Sequence, residues 1–326
     1  MKILLNALRA AGESTRLRLL TVLARSELTV TELTRILSQS QPRVSRHLKL
    51  LTEANLVDRY QEGAWVFYRI SDGGPAERIV SAILDLIPTD DSTIERDLER
   101  LELIKQEHVA EAAVYFKENA KQWDRIRRLY VAESQVEKAL LNAVDDMEIE
   151  NLLDLGTGTG RIMEIFSSRI ERGLGIDMSR EMLTVARANL ESVGISHCQV
   201  RQGDILNLSA HAKSMDVVTI HHVLHFLDNP ADAVTEAARV LKPGGRLLIA
   251  DFAPHNLEYL RNDYAHRRLG FPDDEVNNWL EAAGLQPLRA NHLASRGKKD
   301  TDRLTVSVWS ACRPGEVTQL KQKEVA

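Results

Sequence analysis

LLDLGTGTGRIMEIF, residues 152–166, is a short apolar run followed by three alternating glycines and then residues at helical spacing. The run from Leu152 to Leu155 predicts a buried strand, because it is too short for a helix and ends in turn residues. Gly156, Gly158 and Gly160 let the backbone approach a ligand where any Cβ would collide. Strand, glycine turn and helix in that order suit either a structural turn or a nucleotide site. The sequence on either side has to choose.

Downstream, the same alternation repeats. Short apolar runs at 151–155, 173–176, 199–201, 217–221 and 246–250 are separated by helical segments, which predicts a parallel sheet covered on both faces. Asp177 ends the second run, 21 residues after Gly156, where a carboxylate can accept both hydroxyls of a ribose. The third run ends in Gln202-Gly203-Asp204-Ile205, which sets a carboxylate for an adenine amine beside an apolar contact. The fourth runs into His221-His222-Val223-Leu224-His225, and Ala238-Arg239-Val240-Leu241-Lys242-Pro243-Gly244-Gly245-Arg246 leads into the fifth. A last helix at 274–283 and strands near Leu288 and over 305–310 complete this half.

This ordered set resembles the class I S-adenosylmethionine-dependent methyltransferases, especially those acting on small molecules, over about residues 110–312. The resemblance implies a Rossmann-like α/β fold that binds S-adenosylmethionine or S-adenosylhomocysteine. It implies that Asp154, Gly156, Gly158 and Gly160 cradle the methionine end, Asp177 holds the ribose, Met178 and Ile205 flank the adenine, and Asp204 takes its amine. Tyr115-Phe116-x6-Trp123-Asp124 resembles the aromatic segment that caps the cofactor in such enzymes. A sulfonium methyl is already electrophilic, so catalysis mainly aligns the acceptor and sometimes removes its proton. His221 and His222 are the candidate acceptor or cofactor contacts, with His225 behind them. A strand-end cap or a packed core histidine has the same sequence appearance.

The N-terminal third reads differently. Leucines at helical spacing over 3–24 are broken at Gly12, with Ser14 or Thr15 as a cap, which gives two helices. Thr29 with Glu32 three residues on opens a short helix, and Pro42 sits at the first turn of another over 41–54. From Leu56 the period becomes two, and a turn at Glu62-Gly63 returns the chain through Trp65 to Ile70 as a β-hairpin. In the helix over 41–54, Val44, Leu48 and Leu51 share the core face. Gln41, Arg43, Ser45, Arg46, His47 and Lys49 lie elsewhere on it, with the chemistry to read base edges and hold phosphate.

Residues 15–70 resemble the winged helix-turn-helix of the ArsR family, including Ser45-Arg46-His47-Leu48 and the wing Glu62-Gly63-x-Trp65-Val66-x-Tyr68. The resemblance implies a repressor-like module that binds operator DNA as a dimer, with Arg59 and Arg69 on the wing strands added to the DNA contacts. Metal-sensing members carry cysteines where this chain reads Glu27-Leu28-Thr29-Val30-Thr31-Glu32, and soft ions need thiolates. No metal ligand set is therefore expected.

Length and composition agree. The chain of 326 residues fits two or three units. Its net charge is −5, yet residues 1–70 hold 11 Lys/Arg against 6 Asp/Glu, the bias expected of an end that meets phosphate. Two scattered cysteines, Cys198 and Cys312, exclude a disulfide framework and suit a reducing cytosol. With no apolar run of about 18 residues, the expected location is cytoplasmic and no membrane partner is expected.

The expected organisation is a two-domain chain. An α+β winged helix-turn-helix occupies 1–90, a helical linker, dimerisation and cofactor-capping segment 91–148, the methyltransferase fold 149–313 and a loose tail 314–326. The stripe Ile94, Leu98, Leu101, Ile104 suits either a dimer seam or a helix lying on its own domain. The cation-rich stretch Tyr259–Phe271 suits either an anionic ligand or a helix paired with acidic neighbours. Regulators with such a fused domain resemble the chain over its whole length, which implies a homodimer whose adenosyl ligand is a signal. The competing reading is a working small-molecule methyltransferase with an autoregulatory head. DNA methylation is disfavoured, since no Asn-Pro-Pro-Tyr or Pro-Cys dipeptide is present to handle a flipped base.

Overall fold

The computed structural model describes residues 1–62, 64–71, 74–88, 90–120, 133–294 and 304–315. Gly63, Trp123, Asp124 and the tail beyond Gly315, all of which carried expectations, lie outside the described residues. The chain divides into two compact units, Met1–Ala112 and Ala113–Ala326, so the division falls within the segment expected as a linker.

The first unit comprises α1 (Lys2–Ala11), α2 (Ser14–Leu23), β1 (Leu28–Thr29), α3 (Val30–Leu37), α4 (Gln41–Glu53), β2 (Val57–Glu62), β3 (Trp65–Ile70) and α5 (Gly74–Asp85), and α6 (Ser92–Asn119) begins in it. The cap of α2 is Glu13, whose carboxylate accepts the Arg16 N–H at 3.1 Å, one residue before the expected cap. Thr29 and Glu32 form the expected reciprocal cap of α3: the Thr29 N–H donates to Glu32 Oε2 at 2.7 Å and the Glu32 N–H to Thr29 Oγ1 at 3.3 Å. Leu19, Leu20, Leu33, Ile36, Val44, Leu48, Leu51 and Leu56 are fully buried in one core. The sheet order is β1-β3-β2, antiparallel throughout. Strand β1 is two residues long, too short for an alternation to reveal it.

The α6 stripe packs on its own unit. Leu101 and Ile104 are buried in that core and Leu98 lies against it. Asp97, 1 % exposed, is fixed by Arg18, whose Nε and Nη2 donate to its two oxygens at 2.5 and 2.7 Å while Nη2 also reaches the Leu37 carbonyl.

In the second unit α7 (Glu133–Asn142) precedes β4 (Ile149–Leu155), α8 (Arg161–Phe166), β5 (Ile170–Asp177), α9 (Arg180–Ser192), β6 (Cys198–Gln202) and β7 (Met215–His221). Then come α10 (Pro230–Val240), β8 (Leu241–Phe252), α11 (Tyr259–Tyr264), α12 (Asp273–Ala282), β9 (Gln286–Ala294) and β10 (Thr305–Cys312). The sheet order is β6-β5-β4-β7-β8-β10-β9. The first five strands are parallel, as expected, whereas β10 is antiparallel to both β8 and β9. The chain from Ala294 to Thr305 is shorter than the dozen or more residues a parallel crossover needs, so β9 and β10 pair as a hairpin.

Neighbouring residues on a strand feed opposite faces. Leu152, Val217 and Leu248 belong to one core with Met163 and Phe166, while Leu153, Val218 and Leu247 belong to the other with Val234 and Trp309. The polar residues Asp154, Asp177, His221 and Asp251 all fall at or near the carboxyl ends of the parallel strands, the edge at which open α/β sheets bind ligands.

Candidate functional site

The glycine loop is fastened to the end of β5. The Gly156 and Thr157 N–H groups donate to the Ile176 carbonyl at 2.8 and 3.0 Å, and the Gly158 N–H donates to Asp177 Oδ2 at 2.9 Å. Gly156, Gly158 and Gly160 have φ of +72, +52 and +83°, which an L side chain tolerates poorly. A Cβ on Gly156 would come within 2.3 Å of the Val223 side chain, so the crowding there comes from the protein.

Asp154 is 1 % exposed and accepts the Thr219 hydroxyl at 2.7 Å on the adjacent strand. Asp177 also accepts the Ser179 N–H at 2.8 Å. Burial raises its pKa above the ordinary carboxylate value, against the lowering effect of the N–H groups of Ser179, Gly158 and Met178. Met178 is 53 % exposed and Ile205 is buried, and Asp204 is exposed with Oδ1 accepting the Leu206 N–H. The residues therefore fit an adenosyl ligand: a positive-φ glycine loop locked to a carboxylate with remaining lone pairs, and an open methionine face beyond it.

Beside this loop, at the ends of β7 and β8, lies a histidine cluster larger than the sequence indicated. His221 is buried at the end of β7, and its ring lies 4.6 Å from that of His222. His222 holds a φ of +55°, with its N–H on the Ala250 carbonyl, a costly conformation for a histidine. His225 and Asp251 are 2 and 0 % exposed. His225 Nδ1 lies 2.7 Å from Asp251 Oδ1. The His266 ring is 4.1 Å from that of His225 and stacks on Phe252, and His255 meets Phe252 edge-on.

Burial pulls both outer histidines towards neutrality: His255 falls to about 4 and His266 well below its ordinary value. Asp251 is held below the usual carboxylate range: burial, the largest single effect, raises it, but its interactions with His225 and His222 and the hydrogen bond from the Phe252 N–H together lower it by more. An ionised carboxylate only accepts, so Nδ1 of His225 is the donor and Nε2 carries the lone pair.

Asp251, His255 and His266 were not among the expected site residues. Asp251 carried the same signal as Asp177, a carboxylate ending an apolar run; His266 lay within the cation-rich stretch Tyr259–Phe271, and His255, distant in sequence, carried none. Among the described residues, His222, His225 and Asp251 are grouped with donor atoms within 4.8 Å of one another. The 2.7 Å separation of Nδ1 and Oδ1 is a proton-sharing distance, shorter than the roughly 3.3 Å edge that two bonds to a tetrahedral ion would set.

Half-buried aromatics border the cluster. Phe116 meets Phe226 at 4.8 Å and Tyr115 meets Tyr264 at 6.1 Å, both edge to face. The cations between Tyr259 and Phe271 are paired, Arg267 with Asp228, Arg268 with Glu275 and Arg261 with Glu258. Arg261 and Arg268 are buried, so the pairing with acidic neighbours lies within the fold.

In the first unit Gln41, Arg43, Arg46 and Lys49 are exposed on α4, and Arg59 is exposed on β2. Ser45 is half-buried. His47 faces Glu13 at 3.4 Å and Arg69 faces Glu27 at 3.5 Å while lying over the Tyr60 ring, so these two have partners within the fold.

A methyltransferase-domain model matches residues 153–249, and the model for bacterial regulatory proteins of the arsR family matches residues 13–59. The chain is 30 % identical over 219 residues to a malonyl-[acyl-carrier protein] O-methyltransferase of Marinomonas sp. (strain MWYL1), covering 65 % of this chain and 78 % of that one. It is 33 % identical over 106 residues to the methyltransferase YcgJ of Bacillus subtilis (strain 168), covering 32 % of this chain and 42 % of that one, so it spans under half the length of that relative. The [4+2]-cyclase SpnF shares the fold at a TM-score of 0.50 and 18 % identity, over 56 % of this chain and 82 % of that one. With the glycine loop, the β5 carboxylate and the sheet order, these matches establish that the chain belongs to the class I methyltransferases, with a helix-turn-helix of the ArsR family in the same polypeptide.

Proposed function

We propose that this protein is a DNA-binding transcriptional regulator whose methyltransferase-fold unit binds S-adenosylmethionine or S-adenosylhomocysteine as an effector. The observation that carries this reading is the presence in one chain of an exposed Gln41, Arg43, Arg46, Lys49 face on α4 and a complete adenosyl-type loop with Asp177. Operator DNA is one partner. A second copy of the chain is the other, and the apolar residues Met1, Ile3, Leu4, Leu5 and Leu8 exposed on and beside α1 support that pairing. Among the described residues no helix is long and apolar enough to cross a membrane. Operator titration by anisotropy with and without each adenosyl ligand tests the proposal, and an operator affinity indifferent to both ligands defeats it.

A second reading, methyl transfer to a small molecule by the same unit, is favoured by the buried His225–Asp251 pair, which binding alone does not require. S-adenosylmethionine, when bound, supplies an electrophilic methyl group. The two readings are compatible, since turnover would convert one effector into the other.

A further inference from the structure

We infer that His225, oriented by Asp251, is the proton acceptor for a planar acceptor molecule bearing a phenolic hydroxyl, seated against Tyr115, Phe116, Phe226 and Tyr264. The inference rests on the turnover reading above and deepens it.

Three observations converge. The carboxylate of Asp251 fixes the His225 ring with Nδ1 as donor, at 2.7 Å, so the basic nitrogen is Nε2 and a carboxylate stands ready to stabilise the imidazolium. Asp251 Oδ2 and His266 Nδ1, both buried, make no hydrogen bond among the described residues, and buried polar atoms left so are costly unless a ligand or water meets them. Half-buried Phe226 lies with its ring 4.1 Å from that of His225, and Phe116 packs on Phe226, Tyr115 on Phe116 and Tyr264 on Tyr115, a run of aromatic faces and edges leading from the base that favours a flat, electron-rich guest.

The chemistry narrows the acceptor. A carboxylate acceptor arrives ionised and needs no base. An alkylamine arrives as a cation, and the burial that holds His255 and His266 neutral, with the Arg261 cation beside them, disfavours a further buried positive charge. A phenol enters neutral, which burial permits, and loses its proton only as its oxygen becomes nucleophilic. The proton passes from the phenol oxygen to His225 Nε2. The oxygen lone pair forms the new O–C bond to the methyl carbon as the C–S bond breaks, and that electron pair returns to sulfur. Asp251 remains a carboxylate and is a positioning residue.

The test uses the full chain saturated with S-adenosylhomocysteine, so that no turnover occurs, and 4-nitrophenol as probe, read by its phenolate absorbance between pH 5 and 8. Wild type should lower the apparent pKa of the bound probe by about one unit, roughly a tenfold gain in phenolate at a given pH. His225→Gln should bind the probe without that shift. Asp251→Asn should lose most of it and Asp251→Glu should recover part. Should Asp251→Asn not fold, ring nitrogen NMR of wild type decides: a neutral His225 with Nδ1–H supports the inference and the Nε2–H tautomer overturns it.

Equal probe shifts in wild type and His225→Gln overturn it, as does a probe that fails to bind. So does a stoichiometric divalent metal retained by wild type and lost in Asp251→Asn, which would assign the cluster to an ion. Absence of S-adenosylhomocysteine binding by calorimetry is a separate failure, that of the underlying reading.

Discussion

The Gly158 N–H donates to Asp177 Oδ2 at 2.9 Å, so the glycine loop and the carboxylate expected to hold the ribose form one connected device. The same carboxylate takes the Ser179 N–H on its other oxygen, which fixes its plane and leaves further lone pairs for hydroxyl donors. Removing the side chain therefore frees the loop as well as the ribose contact. Asp177→Ala should weaken both adenosyl ligands by at least an order of magnitude through unpaired polar groups. Asp177→Asn, which keeps one acceptor oxygen, should lose less. Wild-type affinity of Asp177→Ala in calorimetry would show that the ribose lies elsewhere.

Arg18 and Asp97 tie the start of α6 to the rest of the helix-turn-helix unit. Because Asp97 is almost fully excluded from solvent and Arg18 is half-buried, Asp97→Ala leaves a largely desolvated guanidinium with only the Leu37 carbonyl as acceptor among the described residues, a loss of about 2–4 kcal/mol. Urea denaturation of the isolated variant should show that loss. A change under about 1 kcal/mol would place the pair among ordinary surface contacts.

On α4 the exposed residues predict different signatures. Arg43→Ala or Arg46→Ala should cost roughly 1–3 kcal/mol at the operator if the residue reads a base, while Lys49→Ala should weaken all sequences alike and flatten the salt dependence. His47→Ala and Arg69→Ala should act through folding stability instead, given their contacts with Glu13 and Glu27. Operator affinity unchanged in Arg43→Ala, Arg46→Ala and Lys49→Ala would remove the DNA assignment.

Half-buried His255 and buried His266 set an acid limit on stability. His255 is lowered to about 4 in the folded chain, with Nδ1 accepting the Leu257 N–H. Between about pH 4 and 6.5 the unfolded state therefore binds more protons at this group. Its contribution to stability is fully present above 6.5 and is lost as the pH falls towards 4, by up to roughly 3 kcal/mol. The depressed His266 acts in the same direction. Thermal unfolding should move down steadily across that window, and His255→Asn should flatten the slope. A melting temperature that does not change between pH 7 and 4.5 would contradict the burial of these rings.

Much of this was legible from local pattern. LLDLGTGTG announced β4 and its turn because a short buried strand, positive-φ glycines and a helix start occupy adjacent residues. Asp177 was legible because a carboxylate ending an apolar run has few other uses. His225 was visible, yet its partner Asp251 lies 26 residues away on the neighbouring strand, and only the pairing of β7 with β8 brings them together. Likewise the α6 stripe reads the same whether it faces a second copy or its own core. Asp97 and Arg18, 79 residues apart, resolve that for Leu101 and Ile104.

The central claim is that an adenosyl ligand and operator DNA act on one another through this chain. A ligand that binds the DNA-competent and DNA-incompetent states equally shifts nothing, and the ordinary coupling range is about 1–3 kcal/mol. The most direct measurement is S-adenosylhomocysteine affinity of the full chain with and without saturating operator, set against operator affinity with and without the ligand. The account predicts the same factor in both cycles, about 5- to 150-fold. Identical ligand affinity in the presence and absence of operator would contradict it and leave the methyltransferase unit working independently of the DNA-binding unit.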